Sequence, residues 1–296
     1  MDVCVIGGSR YFGRRLIGHL RDAGVRVTVL NRGSTAPPAG VEQLCADRND
    51  EAALRAALGE RRFDVVVDQV CYTPVQAAIA ARVFAERTRR YVLTSTVEVY
   101  AETGEAPVRE EAVDPSVWPV DLALPWGHPD LVEAHYAEGK RQAEAVLTRA
   151  GGFETAIVRT AHVVGGADFT GRLAHYVRQI ERGEPVRVHA DPQPASFVQE
   201  EEIARFLAWT AAADFTGPVN AASDGALDVR ELCAAIGRVV GVEPVLETGA
   251  QEGAAESSPY SFERCYAMDN GRARRLGFEF SSVAGWLPQV IKEARA

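Results

Sequence analysis

The chain has 296 residues, 47% hydrophobic and 25% charged, with a net charge of −9. That length accommodates one large domain or two small ones, and the acidic balance argues against a nucleic-acid partner, because neutralising phosphates needs a basic face. No apolar run approaches the roughly 20 residues of a membrane span, so no membrane partner is expected.

The opening "MDVCVIGGSR" reads as a buried strand that stops at glycine, not as a leader segment. Cys4, Cys45, Cys71, Cys233 and Cys265 are odd in number and scattered, with no CxxC or metal spacing. Free thiols in a reducing cytoplasm are the expectation, with no metal site.

In chain order, "VCVIG" (3–7) is a strand and "YFGRRLIGHLRDAG" (11–24) a helix with Phe12, Leu16, Ile17 and Leu20 on one face and Gly24 as its stop. Further strands are "VRVTVL" (25–30), "EQLCAD" (42–47), "FDVVVDQV" (63–70) and "RYVLTST" (90–96), with "DEAALRAALGE" and "PVQAAIAARVFAERT" as helices between them. Strands alternating with helices imply right-handed βαβ units and a parallel sheet covered on both faces. Residues 101–130, rich in Pro, Asp and Glu, read as a long loop over the carboxyl edge of the sheet. A helix at about 131–150 and one strand, "TAIVRTAHVVG", follow. Beyond Gly165 the rhythm loosens into "GRLAHYVRQIERG" (helix), "PVRVHA" (strand), "FVQEEEIARFLAWTAAA" (strand end, then helix), "GPVNAAS" (strand) and a capped helix from Asp228. Two short helices close the chain. The fold class is α/β: a Rossmann-type doubly wound parallel sheet over 1–165, with a segment returning at about 195–222, and a smaller C-terminal substrate lobe over 166–296.

The first strand, turn and helix carry glycines at Gly7, Gly8 and Gly13. These suit a dinucleotide loop, in which Gly7 makes the tight turn and Gly13 lets helix and strand approach. Ser9, Arg10, Tyr11 and Phe12 complete the loop, with Arg10 where the usual middle glycine would stand. The N-terminus of the helix offers N–H groups and a positive dipole end to a pyrophosphate. At the end of the second strand, Asn31 and Arg32 replace the carboxylate that holds the ribose 2′-OH of NAD. Arg10 and Arg32 could instead pair with the 2′-phosphate of NADP. Alternatively, Arg32 is a solvated loop residue and Asn31 binds the ribose of NAD. Asp47 and Arg48 fall where the adenine would lie; a turn cap is the competing reading of Asp47.

Only two of the 32 basic residues are lysines, Lys140 and Lys292. Arg keeps its proton, whereas Lys can shift its pKa, so a Lys surviving in an Arg-writing sequence marks a place where Arg would fail. Tyr136 and Lys140 are four apart on a predicted helix and project from one face. A nearby ammonium lowers the pKa of a phenol, which lets it exchange a proton near neutrality. "RYVLTST" places Thr94, Ser95 and Thr96 at the carboxyl end of a parallel strand, where a hydroxyl could join the pair.

Together "GGSRYFG", "TSTVEVY" and "YAEGK" resemble the extended, or atypical, short-chain dehydrogenase/reductases of the NAD-dependent epimerase/dehydratase group. With "VTVLNRG" and "ADRND", the chain looks closest to an atypical branch that includes sugar-nucleotide-like epimerases or reductases and a plant chloroplast RNA-binding relative. The resemblance implies hydride transfer at C4 of a nicotinamide, with Tyr136 as acid/base, Thr96 hydrogen-bonding the same substrate oxygen, and Lys140 also holding the nicotinamide ribose. Ser95 is expected to pack on the opposite side of the strand.

Glu98 lies where dehydratases of the group carry a catalytic Glu, but Val97 stands in place of their Asp; a substrate contact and a solvated carboxylate are both open. His162, in "VRTAHVVGG", falls where nucleotide-sugar members have Asn, and Thr160 replaces their Pro. A substrate contact and a hydrogen-bonded core histidine are both open for it. "PASFVQEEEIA" lacks the Arg that clamps a substrate diphosphate in those members.

The leading reading is an NADP-dependent oxidoreductase or epimerase acting on a sugar-like small molecule, with a nucleotide-linked sugar and another polyol or ketone both open. A redox-neutral epimerase or dehydratase with tightly held NAD is one alternative. A non-catalytic cofactor sensor or RNA-binding relative is another, against which the Tyr–Lys pair argues. The resemblance also implies a homodimer joined through the Tyr–Lys helix and its neighbour.

Overall fold

The computed structural model describes residues 1–104, 106–128, 134–166, 168–249 and 258–295. The chain divides into two compact units. The first comprises Met1–Glu102, Glu110–Thr160 and Ile203–Val219; the second comprises Thr103–Arg109, Ala161–Glu202 and Asn220–Ala296. Ile203–Val219 is the segment of the first unit that follows the excursion Ala161–Glu202 into the second.

The first unit is built on β1 (Asp2–Ile6), α1 (Tyr11–Asp22), β2 (Arg26–Asn31), β3 (Glu42–Cys45), α2 (Glu51–Leu58), β4 (Phe63–Asp68), α3 (Pro74–Phe84), β5 (Thr88–Thr96), α4 (Tyr136–Arg149) and β6 (Glu154–Thr160). The sheet order is β10-β6-β5-β4-β1-β2-β3, where β10 is Gly217–Ala221. The pairings β2/β3, β1/β2, β1/β4, β4/β5 and β5/β6 are all parallel. This 3-2-1-4-5-6 order brings the carboxyl ends of β1 and β4 together where the strand order reverses, the place at which such sheets bind ligands.

Local chemistry sets the element boundaries. The apolar runs Val3–Ile6, β-branched but for Cys4, and Val65–Val67 are almost wholly buried, as strands covered on both faces must be. Each such side chain contributes about 1.5–3 kcal/mol on burial. Helix α1 turns Leu16, Ile17 and Leu20 inward and ends before Gly24, whose φ of 76° a β-carbon would strain. The Asp50 carboxylate accepts from the Ala53 amide at the start of α2, and Thr73, followed by Pro74, opens α3.

Residues 113–126 lie along α4, a position different from the expected course over the sheet edge. Arg149 donates to the carbonyl oxygens of Ser116 and Trp118. The Asp121 amide donates to Gln142 Oε1 at 2.8 Å, the Trp118 indole donates to Glu138, and Arg141 lies 5.2 Å over the Trp118 ring. The apolar faces of two tryptophans and the Arg-rich flank of α4 account for this course: Arg141 and Gln142 are buried under the segment.

The expected single strand over "TAIVRTAHVVG" is two, β6 and β7 (His162–Val164). They break at Ala161, whose amide donates to the Ala221 carbonyl. In the second unit β7 pairs in parallel with β9 (Ala195–Gln199), and β9 antiparallel with β11 (Ala226–Leu227). A separate parallel pair joins β8 (Val186–Val188) to β12 (Leu246–Thr248). Helices α5 (Arg172–Glu181), α7 (Val229–Val240), α8 (Gly271–Arg275) and α9 (Val283–Glu293) complete that unit, while α6 (Glu200–Ala212) carries the chain back to the first. The expected cap at Asp228 is a full capping box with Glu231.

Candidate active site

The glycine loop leaves no room for side chains. Gly7 and Gly8 have φ of 87° and 71°. A β-carbon on Gly7 would lie 2.8 Å from Val70 Cγ1, and one on Gly8 2.8 Å from Val5 Cγ1. On Gly13 it would lie 2.2 Å from Gln69 Oε1 and 2.6 Å from Gly8 Cα. Helix and loop backbone therefore touch at Gly13, as a pyrophosphate cradle requires. Arg10, in place of the middle glycine, has φ −136°, an extended conformation open to any residue. The left-handed turn falls instead on Tyr11, the sole described non-glycine residue with positive φ (51°). No side chain caps α1, and its first turn holds no acidic residue that would compete with an anion there.

Asn31 is spent within the loop. Its Nδ2 donates to Ser9 Oγ at 2.8 Å, and its Oδ1 accepts from the Gly33 amide and Gln43 Nε2. It thus fixes the floor between the first and second strands and leaves Arg10 and Arg32 as the exposed cations there. Asp47 accepts from the amide and side chain of Asn49, the turn-capping role. Arg48, the other residue expected near the adenine, is enclosed. It is 9% exposed, bound to Asp68 at 3.0 Å and to the Gln76 carbonyl. An adenine contact from Arg48 would first have to break that pair, because a buried carboxylate without its cation is costly.

The three expected catalytic residues come from β5 and α4. Lys140 is 2% exposed, and its Nζ donates to the Thr94 carbonyl at 2.8 Å. Nζ lies 6.0 Å from the centre of the Tyr136 ring and 4.7 Å from that of Tyr72. Burial, the largest influence, lowers its pKa to about 8, with Cys71 and Asp68 opposing. Thr96 ends β5, and its Oγ1 accepts from the Glu98 amide at 3.3 Å, opening the 3-10 turn Val97–Tyr100 on which Glu98 sits half-buried. The Thr94 hydroxyl oxygen is enclosed and has no hydrogen-bond partner among the described residues.

Ser95 faces the other way, as alternation expects, and donates to Glu144 at 2.5 Å. Glu144 also pairs with Arg159 at 2.6 Å, both fully buried. Arg159 reaches the Tyr100 hydroxyl and the carbonyls of Glu110 and Val113 as well. One buried network therefore fixes α4 in register with β5 and β6: Glu144 lies one helical turn beyond Lys140, and Ser95 adjoins Thr96.

His162 belongs to the second unit. Its ring stacks 4.8 Å from Phe262 and edge-on at 5.4 Å to Tyr266. Burial, helped by Arg172, lowers its pKa to about 3, so it is neutral, and its Nε2 has no hydrogen-bond partner among the described residues. A hydrogen bond at that nitrogen is therefore not what holds this histidine; aromatic packing is.

Sequence reasoning missed Tyr72, Gln69 and Asp68. Asp68 had a readable signal, an acid ending a buried Val run. Tyr72 had none, because its place depends on how the β4–α3 turn meets α4. Among the described residues no group of His, Cys, Asp and Glu side chains could hold a metal ion, and no helix is long and apolar enough to cross a membrane.

Residues 3–85 match the NAD dependent epimerase/dehydratase family. Among curated proteins the chain is similar to UDP-glucuronic acid decarboxylase 1 of Arabidopsis thaliana, 26% identical over 286 residues, covering 83% of this chain and 60% of that protein. A second such protein, UDP-glucuronic acid decarboxylase 6, is 28% identical over 211 residues, and the chain spans 53% of its length. Among solved structures, the UDP-glucose 4-epimerase of Thermotoga maritima with UDP-glucose superposes with TM-score 0.73 at 18% identity, covering 100% of this chain and 99% of that one. The Thermus thermophilus UDP-glucose 4-epimerase with NAD gives 0.71 at 20% identity, with the same coverage of 100% and 99%. The chain thus matches the NAD dependent epimerase/dehydratase family over residues 3–85, and as a whole it shares its fold with these two solved structures.

Proposed function

We propose that the chain binds a nicotinamide dinucleotide on the Gly7–Gly13 loop and transfers hydride at a hydroxyl-bearing carbon of a sugar carried on a nucleoside diphosphate. The observation that carries this reading is the buried Lys140 ammonium, tied to the Thr94 carbonyl and lying beside the Tyr136 ring. The glycine cradle is consistent with that cofactor. When bound, the nicotinamide supplies or accepts the hydride. Tyr136 exchanges the proton with the substrate oxygen, and Thr96 hydrogen-bonds that oxygen. Lys140, charged for most of the population at neutral pH, stabilises the phenolate form of Tyr136.

The finer cofactor reading is NADP, supported by the exposed Arg10 and Arg32 and the absence of a carboxylate at the end of β2. A second reading, a redox-neutral epimerase or decarboxylase that retains NAD through the cycle, is favoured by the names of the similar proteins and by the NAD complex among the structural neighbours. A homodimer through α4 would require residues 113–126 to leave that helix. Replacing Tyr136 with Phe tests the core of the proposal: turnover should fall by at least a hundredfold with dinucleotide affinity unchanged, in keeping with the 10²–10⁴-fold scale of general acid–base catalysis. Retained turnover would refute it.

A further inference from the structure

Three observations converge on Tyr72, a residue of the β4–α3 turn. Its ring lies 4.7 Å from Lys140 Nζ, nearer than the Tyr136 ring at 6.0 Å. The two phenol rings are 6.2 Å apart. Its backbone is seated against α4 between Tyr136 and Lys140, where a β-carbon on Gly139 would lie 2.5 Å from the Tyr72 carbonyl oxygen. The turn is itself held, since the Tyr72 amide donates to Gln76 Oε1 at 2.7 Å.

Lys140 therefore meets protein on two sides, the Thr94 carbonyl and the face of Tyr72. A buried ammonium with one carbonyl acceptor is undersolvated, and an aromatic face is the one apolar surface that attracts a cation. We infer that Tyr72 is a positioning residue for Lys140: its ring holds the ammonium against β5 and keeps it charged beside Tyr136. The inference rests on the reading of Lys140 given under the proposed function. Gly139 follows from it, because any larger residue would push the Tyr72 turn off the helix. The other groups bearing on Lys140 are Cys71 and Asp68 from the end of β4 and the turn after it, Arg48 from the β3–α2 turn, and Glu144 on its own helix.

The two-lysine composition supplies the test. Labelling the protein with lysine enriched in ¹³C at Cε gives two signals, assigned with Lys292→Arg, and the Lys140 signal can be titrated without any substrate. The wild type and Tyr72→Phe, which keeps the ring, should titrate together near 8. Tyr72→Leu keeps an apolar cover and removes the π-face, and should titrate lower by about half to one pH unit. Far-UV circular dichroism checks that each variant is folded. An equal or higher pKa in Tyr72→Leu, or a changed one in Tyr72→Phe, would overturn the inference. Because the readout is independent of turnover, its failure is distinct from that of the proposed reaction, which Tyr136→Phe tests separately.

Discussion

Replacing Glu144 with Gln probes the frame that holds the site. Glu144 and Arg159 are both fully buried and 2.6 Å apart, and Ser95 donates to the same carboxylate. Gln keeps the volume and one acceptor oxygen but removes the negative charge, leaving the Arg159 guanidinium enclosed among neutral acceptors: that amide oxygen, the Tyr100 hydroxyl and the Glu110 and Val113 carbonyls. Breaking a buried pair by neutralising one partner costs about 3–5 kcal/mol, because the remaining charge is uncompensated. Urea unfolding followed by circular dichroism reads this as a lower midpoint. Glu144→Met combined with Arg159→Met should cost less than the sum of the two single changes, since no buried charge then remains. A loss below about 1 kcal/mol in Glu144→Gln would mean that the pair is not the lock between α4, β5 and β6, and would refute the reasoning.

The remaining predictions concern chemistry and assembly. Arg32→Ala should weaken NADPH by about 10–100-fold, the worth of a charge-assisted hydrogen bond, and barely change NADH; equal losses would refute the 2′-phosphate reading. Lys140 has its pKa lowered from 10.5 to about 8, so between those values the unfolded chain binds more protons than the folded one. Stability should therefore rise with pH across that window by up to about 3 kcal/mol from this group, measured as the difference between the wild type and Lys140→Met. No difference in slope would contradict the burial of Lys140 as a titrating amine. With residues 113–126 covering α4, light scattering should give the 32.0 kDa of a single chain; twice that mass would show pairing through another face or displacement of that segment.

The Rossmann order was legible because β-branched runs buried on both faces alternate with helices that carry their own stops and caps. The glycine loop and the Tyr136–Lys140 spacing were equally local. What escaped depends on long-range partners. The burial of Arg48 is set by Asp68, which ends β4 twenty residues further on. The break at Ala161 is set by a hydrogen bond to Ala221, sixty residues away, and the β8/β12 pair joins two three-residue strands too short to show a period. Tyr72 gains its position through Gly139, a contact between a turn and a helix that no spacing encodes.

The central claim, a nicotinamide dinucleotide on the Gly7–Gly13 loop, is tested most directly on the purified protein. Denaturation releases any bound nicotinamide for identification by mass and absorbance, and the emptied chain is then titrated with NADPH and NADH. The expected result is one dinucleotide site per chain, tighter for NADPH, and abolished by Gly13→Val. Tighter binding of NADH, or stoichiometric release of NAD, would favour the recycling enzyme over the NADP reading. Release of no nicotinamide, with no binding of either dinucleotide, would contradict the claim itself.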